Sequence, residues 1–318
     1  MRVLLTAGAT DFGTADRVAA WAAQPWPTVT ARPLSDGGGD LCEVLADLTG
    51  GELGTLCARG QLIPTLATRG TWTADLTSWR EDTALIGEVL RAGLEQSRSR
   101  IVLALSSEIV PDLGKAMLAE LGISGTAELA ALLADTDVVL LASSETSLLG
   151  PGGLPRELAE SGRLPGQVAQ ELERDLVRSL PGATDQRRQL HGASLSATDP
   201  LSGVGGGAGF LLARVGARIE RTGAWVVNHL VGDIAEADLI VAVTGDLGLD
   251  LPASVSHLSR LAAARGLPVV LVYGEGALLR HELARDGLSG AYSYGSGRDG
   301  LDETMIKVAQ TWVGGPGL

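Results

Sequence analysis

Short apolar runs that alternate with helical-period stretches constrain this chain more than any other feature. The segments 2–6, 100–105, 136–141, 237–244 and 268–273 are brief, rich in leucine or β-branched residues, and bounded by turn residues. They read as buried strands. Between them, 15–23, 83–96, 114–121, 167–179, 254–264 and 277–286 repeat their apolar residues at helical spacing. Such alternation predicts parallel sheet with helices on both faces, an α/β fold. Aromatic residues make up only 3% of the chain, so aliphatic side chains must fill the core and an all-β fold is disfavoured.

Length then bounds the number of domains. At 318 residues the chain suits about two domains of ~150 residues each, and it can bury a core without disulfides or a structural metal. Acidic residues number 38 against 25 basic ones, a net charge of −13. Phosphate backbones and anionic lipid are therefore poor partners, which argues against nucleic acid and membrane surfaces. Only two of the basic residues are lysines, Lys115 and Lys307. Cys42 and Cys57 are too few for a disulfide framework or a four-cysteine zinc site and read as small core residues. The histidines (His191, His229, His257 and His281) lack metal-ligand spacing. The first apolar run, 3–9, is too short for a secretory segment, so a cytoplasmic protein is expected.

Three segments place glycines and carboxylates where strands give way to helices or loops. In Pro33-Leu-Ser-Asp-Gly-Gly-Gly-Asp40, the glycines allow close approach of a ligand, and Asp36 and Asp40 could hold a metal or accept a proton. Taken alone, the segment reads better as a tight turn with an aspartate N-cap. Ser202-Gly-Val-Gly-Gly-Gly-Ala-Gly209 is similar to a phosphate loop but lacks the lysine of a Walker sequence. Val243-Thr-Gly-Asp-Leu-Gly-Leu-Asp250 follows a predicted strand, where open α/β sheets bind ligands, although a solvated loop fits it equally. No G-x-S-x-G elbow is present, which disfavours Ser/His/Asp hydrolysis.

In this order the segments resemble the bacterial glycerate kinases. Ser35-Asp-Gly-Gly-Gly is similar to the family's A-D-G-G-E-G, and Thr77-Ser-Trp79 to the stretch before G-G-S-A-T-N-D-G-G-A-G. That loop falls on Ser106-Ser-Glu-Ile-Val-Pro-Asp-Leu-Gly-Lys-Ala116, and N-P-L-x-G on Thr146-Ser-Leu-Leu-Gly150. Gly203, Gly206, Gly207 and Gly209 match G-A-A-G-G-L-G, while Ala237-Asp-Leu-Ile, Thr244-Gly-Asp and Asp250 resemble A-D-L-V-I-T-G-E-G-x-x-D. The likeness is collinear over nearly the whole chain. Departures accompany it. Phe12, with Asp11 before it, stands in the D-S-F-K position but Gly13 replaces the lysine, Gly39 replaces an acidic residue, and the lysine of F-G-P-Q-K-G has no counterpart. Phosphoryl transfer depends on cationic stabilisation, for which Arg80 and Lys115 lie near the motif positions.

The resemblance implies two α/β domains with parallel or mixed sheets, the second inserted into the first, and a ligand cleft between them. The expected boundaries are 1–50 with 231–318 for a discontinuous Rossmann- or flavodoxin-like domain, and 51–230 for the inserted one. It implies an ATP-dependent glycerate kinase of divergent type. Asp36 or Asp112 would serve as base, Asp246 or Asp250 would hold Mg²⁺, and Gly203, Gly206, Gly207, Gly209, Thr244 and Gly245 would meet the nucleotide. A degenerate homologue that senses an organic acid or nucleotide, or a kinase for another hydroxy acid, stands as the alternative.

Overall fold

The computed structural model describes residues 1–96, 98–106, 108–180, 195–248, 250–276, 278 and 280–313. Ser107, Leu249, Ala277 and the segment 181–194, which includes His191, lie outside the described residues. The chain divides into two compact units: 1–36, 43–50 and 222–318 form the first, and 37–42 with 51–221 form the second.

The first unit contains β1 (Val3–Ala7), α1 (Ala15–Ala23), β2 (Val29–Pro33) and most of α2 (Leu41–Thr49). Its later part holds α9 (Thr222–Asn228), α10 (Val231–Glu236), β9 (Leu239–Val243), α11 (Ala253–Ala263), β10 (Val269–Tyr273), α12 (Arg280–Arg285), β11 (Gly290–Ser293) and α13 (Gly297–Val313). The five strands are all parallel, in the order β11-β10-β9-β1-β2. β1, β9 and β10 are buried at every position, as continuous apolar runs covered on both faces require. Val3, Leu5 and Ala7 pack with Val18 and Ala22 of α1 and with Leu301 and Met305 of α13. Counted along the chain within this unit, the strands lie in the order 2-1-3-4-5, so the topology switches between β1 and β9.

The second unit contains β3 (Glu52–Ala58), β4 (Gln61–Ala67), β5 (Thr71–Leu76), α3 (Ala84–Glu95), β6 (Arg100–Leu105), α4 (Lys115–Leu121), α5 (Thr126–Leu132) and β7 (Asp137–Ala142). They are followed by α6 (Leu154–Glu160), α7 (Gly166–Ser179), α8 (Ala208–Ala213) and β8 (Arg218–Arg221). Its mixed sheet runs β3-β4-β5-β6-β7-β8, antiparallel up to β5 and parallel from there on. Ile101, Leu103 and Leu105 of β6 point to one face and meet Leu85, Ile86 and Leu90 of α3 in the main core.

The strand expectations at 2–6, 100–105, 136–141, 237–244 and 268–273 coincide with β1, β6, β7, β9 and β10, give or take a residue or two at the ends. One expectation fails: Cys42 is buried, but Cys57 is exposed. Cys57 sits on β3, the edge strand of its sheet, where all but Leu56 and Ala58 are exposed.

Candidate functional site

The C-terminal edge of the first unit's sheet is stitched together by backbone hydrogen bonds. Gly8 N donates to Val243 O (3.0 Å), Thr244 N to Val272 O (2.9 Å), Gly274 N to Gly245 O (3.1 Å) and Tyr294 N to Tyr273 O (2.8 Å). The loops after β1, β9, β10 and β11 therefore lie side by side at the switch point, the usual ligand crevice of such sheets. Thr244 and Gly245 are half-buried there, and a Cβ on Gly245 would come within 3.8 Å of Ala9 O.

Asp246 projects from this edge. Its Oδ1 accepts a hydrogen bond from Glu275 N (2.7 Å). Gly274 leaves room for this contact, because a Cβ there would stand 2.3 Å from the same oxygen and displace it. The Tyr294 ring packs edge-on against Phe12, with centroids 5.9 Å apart. Burial pushes the Tyr294 phenol up to about 12, and the charges of Asp11 and Asp246 push it the same way. Asp11, Asp246 and Tyr294 thus share one electrostatic neighbourhood. Sequence reasoning had placed Asp11 only by its motif register and had missed Tyr294, which is one residue past a short edge strand with no pattern of its own.

Asp250 is exposed on the same loop. Arg285 is held protonated first by its hydrogen bond to Asp286, with Asp250 adding a smaller charge effect. The charge of Asp250 is therefore felt by a guanidinium.

Asp36, at the end of β2, has a different setting. Its Oδ1 accepts from Ser254 N (2.7 Å) and its Oδ2 from Ser254 Oγ (2.6 Å). Ser254 is in the first turn of α11, whose N-cap is Pro252, a residue with no side-chain acceptor. Asp36 supplies that cap from 218 residues away. Burial raises its carboxyl above the ordinary range, against the pull of both Ser254 bonds. Gly223 makes room, since a Cβ there would meet Asp36 Oδ1 at 2.1 Å. The following Gly37, Gly38 and Gly39 all have positive φ, and Cβ positions at Gly38 and Gly39 face open space.

The remaining expected residues belong to the second unit. Asp112 accepts from Thr83 Oγ1 (2.9 Å to each oxygen), Gly114 N (2.8 Å) and Ala116 N (2.9 Å), tying the first turn of α4 to the start of α3. The glycine run is a buried 3-10 turn, Val204–Gly207, leading into α8. Gly205, Gly206 and Gly207 have φ of 63°, 64° and 82°. Added Cβ atoms would meet Leu105 Cδ1 at 2.9 Å from Gly205, Ile109 Cγ2 at 2.9 Å from Gly206, and Val204 Cγ1 at 2.3 Å from Gly209. At Gly203 the obstacle is backbone, Thr146 O and Ser147 O at 3.0 Å. Backbone shape and close packing account for these glycines in full.

Arg80 is committed as well: Nε pairs with Glu108 (2.5 Å) and Nη1 donates to Thr77 O (2.6 Å). Lys115 is exposed at the start of α4. Asp75, which sequence reasoning passed over, is 1% exposed; Thr77 N and Oγ1 donate to its Oδ1, and its Oδ2 has no partner among the described residues. Among the described residues no group of three or more His, Cys, Asp or Glu side chains is arranged to hold a metal ion. None of the described helices is long and apolar enough to cross a membrane.

The crystal structure of "putative glycerate kinase 2" from Salmonella typhimurium LT2 matches this chain with a TM-score of 0.75 over 100% of both chains, at 18% sequence identity. The fold is glycerate-kinase-like. No family model matches the sequence. Uncharacterized proteins of Mycobacterium bovis and Mycobacterium tuberculosis are each 31% identical over 215 residues, 65% of this chain and 54% of theirs. The chain spans about half the length of the curated relatives it matches.

Proposed function

We propose that this chain is a divergent ATP-dependent kinase for a small hydroxy acid, glycerate or a close relative, with Mg-nucleotide received at the crevice of the first unit. One observation carries the reading. At the switch point of a parallel sheet, Asp246 is anchored through one oxygen by Glu275 N, and its charge and that of Asp11 both act on the Tyr294 phenol, with no ion pair for either carboxylate among the described residues. Mg²⁺ on a nucleotide is commonly held by one or two protein carboxylates together with the phosphates. When bound it would supply positive charge to the transferring phosphoryl group.

The chain's own residues divide the rest of the work in this reading. Thr244 and Gly245 form the floor of the crevice, and Asp250 adds charge further along the loop. Gly203, Gly206, Gly207 and Gly209 act by fixing the shape of a packed loop. Asp36 or Asp112 would take the proton of the substrate hydroxyl, and each already accepts hydrogen bonds on both of its oxygens. Net charge of −13 keeps nucleic acid and anionic membranes outside the proposed partners, and a cytoplasmic setting suits the reading.

A second reading, a degenerate homologue that binds but does not transfer phosphate, is favoured by that same engagement of Asp36 and Asp112. A coupled ADP-release assay with Mg-ATP and glycerate, run beside calorimetric binding of each, separates the two. Turnover supports the kinase, and binding without turnover supports the sensor. No binding of either ligand rejects both.

A further inference from the structure

We propose that the outer edge of β3 is a self-association surface, on which a second copy of this chain adds its own β3 as an antiparallel strand about a twofold axis normal to the sheet. The inference is independent of any reading of the ligand crevice.

Three observations carry it. First, β3 is the terminal strand of the mixed sheet, and among the described residues no backbone hydrogen bond reaches 52–58 from outside the ladder with β4. Glu52, Leu53, Gly54, Thr55 and Cys57 are exposed. Edge strands of soluble proteins are ordinarily shielded by lysine, proline, a bulge or brevity. β3 is seven residues long, holds neither lysine nor proline, and keeps an unbroken register with β4 from Glu52 to Ala58. Such an edge is a template for another strand. Second, the two faces of the hairpin differ. Leu56 and Ala58, with Ile63 and Ala67 of β4, pack on the unit's core. Leu53, Thr55 and Cys57 point the other way, and Leu62 stands directly opposite Cys57. Leu62 is 73% and Leu53 51% exposed, so an apolar row runs along the open edge. Third, the strand's ends carry opposite charges. Glu52 has no ion pair among the described residues, and Arg59, just past the other end, lies 3.5 Å from Glu120, which Arg91 also holds. Antiparallel pairing of two copies lays each acidic end beside a basic one.

Symmetry then fixes the register. A twofold axis normal to the sheet keeps like faces together, so opposed residues must belong to the same face. An axis through Thr55 pairs it with the partner's Thr55, Leu53 with the partner's Cys57, and Glu52 with the partner's Ala58, next to the partner's Arg59. Leu53 is then flanked by the partner's Cys57 and the partner's Leu62. Cross-strand threonine and apolar pairs are each favourable in such a ladder. An axis through Leu56 would instead set Leu53 against the partner's Arg59. That one operation matches the apolar rows and the charged ends together selects a second copy over an unrelated strand.

The test is sedimentation velocity of the full chain across micromolar concentrations, where a growing dimer fraction is expected. Leu53→Lys should weaken dimerisation by about tenfold or more, because it forces an ammonium into an apolar contact. Glu52→Arg and Arg59→Glu should each weaken it by about two- to fivefold, and the two together should restore it. In a Cys57→Ser background, Thr55→Cys should give a disulfide-linked dimer on mild oxidation, because directly opposed residues lie about 4.5–5.5 Å apart, within disulfide reach. Wild type should not cross-link through Cys57, since the partner's Cys57 lies about 14 Å along the ladder. Thermal melts verify that each variant is folded. A monomer at every concentration overturns the proposal, as does wild-type dimerisation by folded Leu53→Lys. A dimer that Thr55→Cys does not cross-link, or that the double charge reversal does not restore, overturns it as well.

Discussion

Replacing Asp36 by alanine removes both acceptors of Ser254, the amide at 2.7 Å and the hydroxyl at 2.6 Å. Hydrogen bonds to a charged group contribute about 1.5–3 kcal/mol each. Against this stands the burial that raises the Asp36 carboxyl, a cost the alanine variant no longer bears. A helix cap deleted elsewhere typically costs about 0.5–2 kcal/mol. With a buried amide left unpaired, the net expectation is a loss of about 1–2 kcal/mol at pH 7. The pH dependence has a definite sign. The folded pKa of Asp36 lies above its unfolded value, so the native state binds more protons between the two. Its contribution is greatest below the unfolded pKa of about 3.9 and declines as pH rises through the folded value. Urea unfolding from pH 4 to 8 measures both effects. Asp36→Asn, which keeps an acceptor without the charge, should remove that decline. An Asp36→Ala variant as stable as wild type, with phosphoryl transfer abolished, would refute the cap and return Asp36 to the chemistry.

Other outcomes follow from packing and charge. Gly223→Ala drives a Cβ to 2.1 Å from Asp36 Oδ1 and 2.4 Å from Ser254 N, so it should cost about 1–3 kcal/mol, and most of that cost should persist in an Asp36→Ala background because the Ser254 backbone remains, as a double-mutant cycle of denaturation would show. Asp112→Ala takes the acceptor from Gly114 N, Ala116 N and Thr83 Oγ1 and should destabilise by about 1–3 kcal/mol, read as an earlier urea midpoint. Burial acts to raise the Asp137 carboxyl, but its bonds to Arg100 and Arg218 outweigh that and lower it. Its contribution should therefore be present above the unfolded pKa and fade as pH falls through the lowered one. These groups are partly exposed, so Asp137→Asn should cost no more than about 1 kcal/mol at neutral pH and nothing at low pH.

The central strands were legible because they are buried on both faces. β1, β9 and β10 read Val-Leu-Leu-Thr-Ala, Leu-Ile-Val-Ala-Val and Val-Val-Leu-Val-Tyr, runs for which no other placement satisfies the apolar side chains. The β3–β4 hairpin escaped because its signals are atypical. Its turn is Arg59–Gly60, both at positive φ, where asparagine or aspartate would ordinarily announce the geometry. Pro64 within β4 also argues against a strand. β2, β8 and β11 are short and partly exposed, so they carry no strong period.

The site was legible in part, for a related reason. A strand followed by Thr244, Gly245 and Asp246 is local information, and the sheet places those residues at the switch point. Asp36 and Asp112 looked alike in sequence because a capping aspartate and a catalytic one have the same composition around them. What separates them is the partner, and Ser254 lies 218 residues from Asp36. The glycines at 205, 206 and 207 have the same ambiguity: a phosphate loop and a tightly packed turn both need positive φ, and only the neighbours Leu105 and Ile109 distinguish them.

The most direct measurement is a calorimetric titration of wild type and Asp246→Asn with Mg-ATP at fixed ionic strength. Saturable binding by wild type is expected, weakened in the variant by about 1–3 kcal/mol, the typical worth of a charge-assisted contact. Binding of that size would also raise the melting temperature of wild type, since a hundredfold excess over Kd stabilises by about 2.7 kcal/mol. Equal affinities for the two proteins, or no binding by wild type, would contradict a Mg-nucleotide site at this crevice.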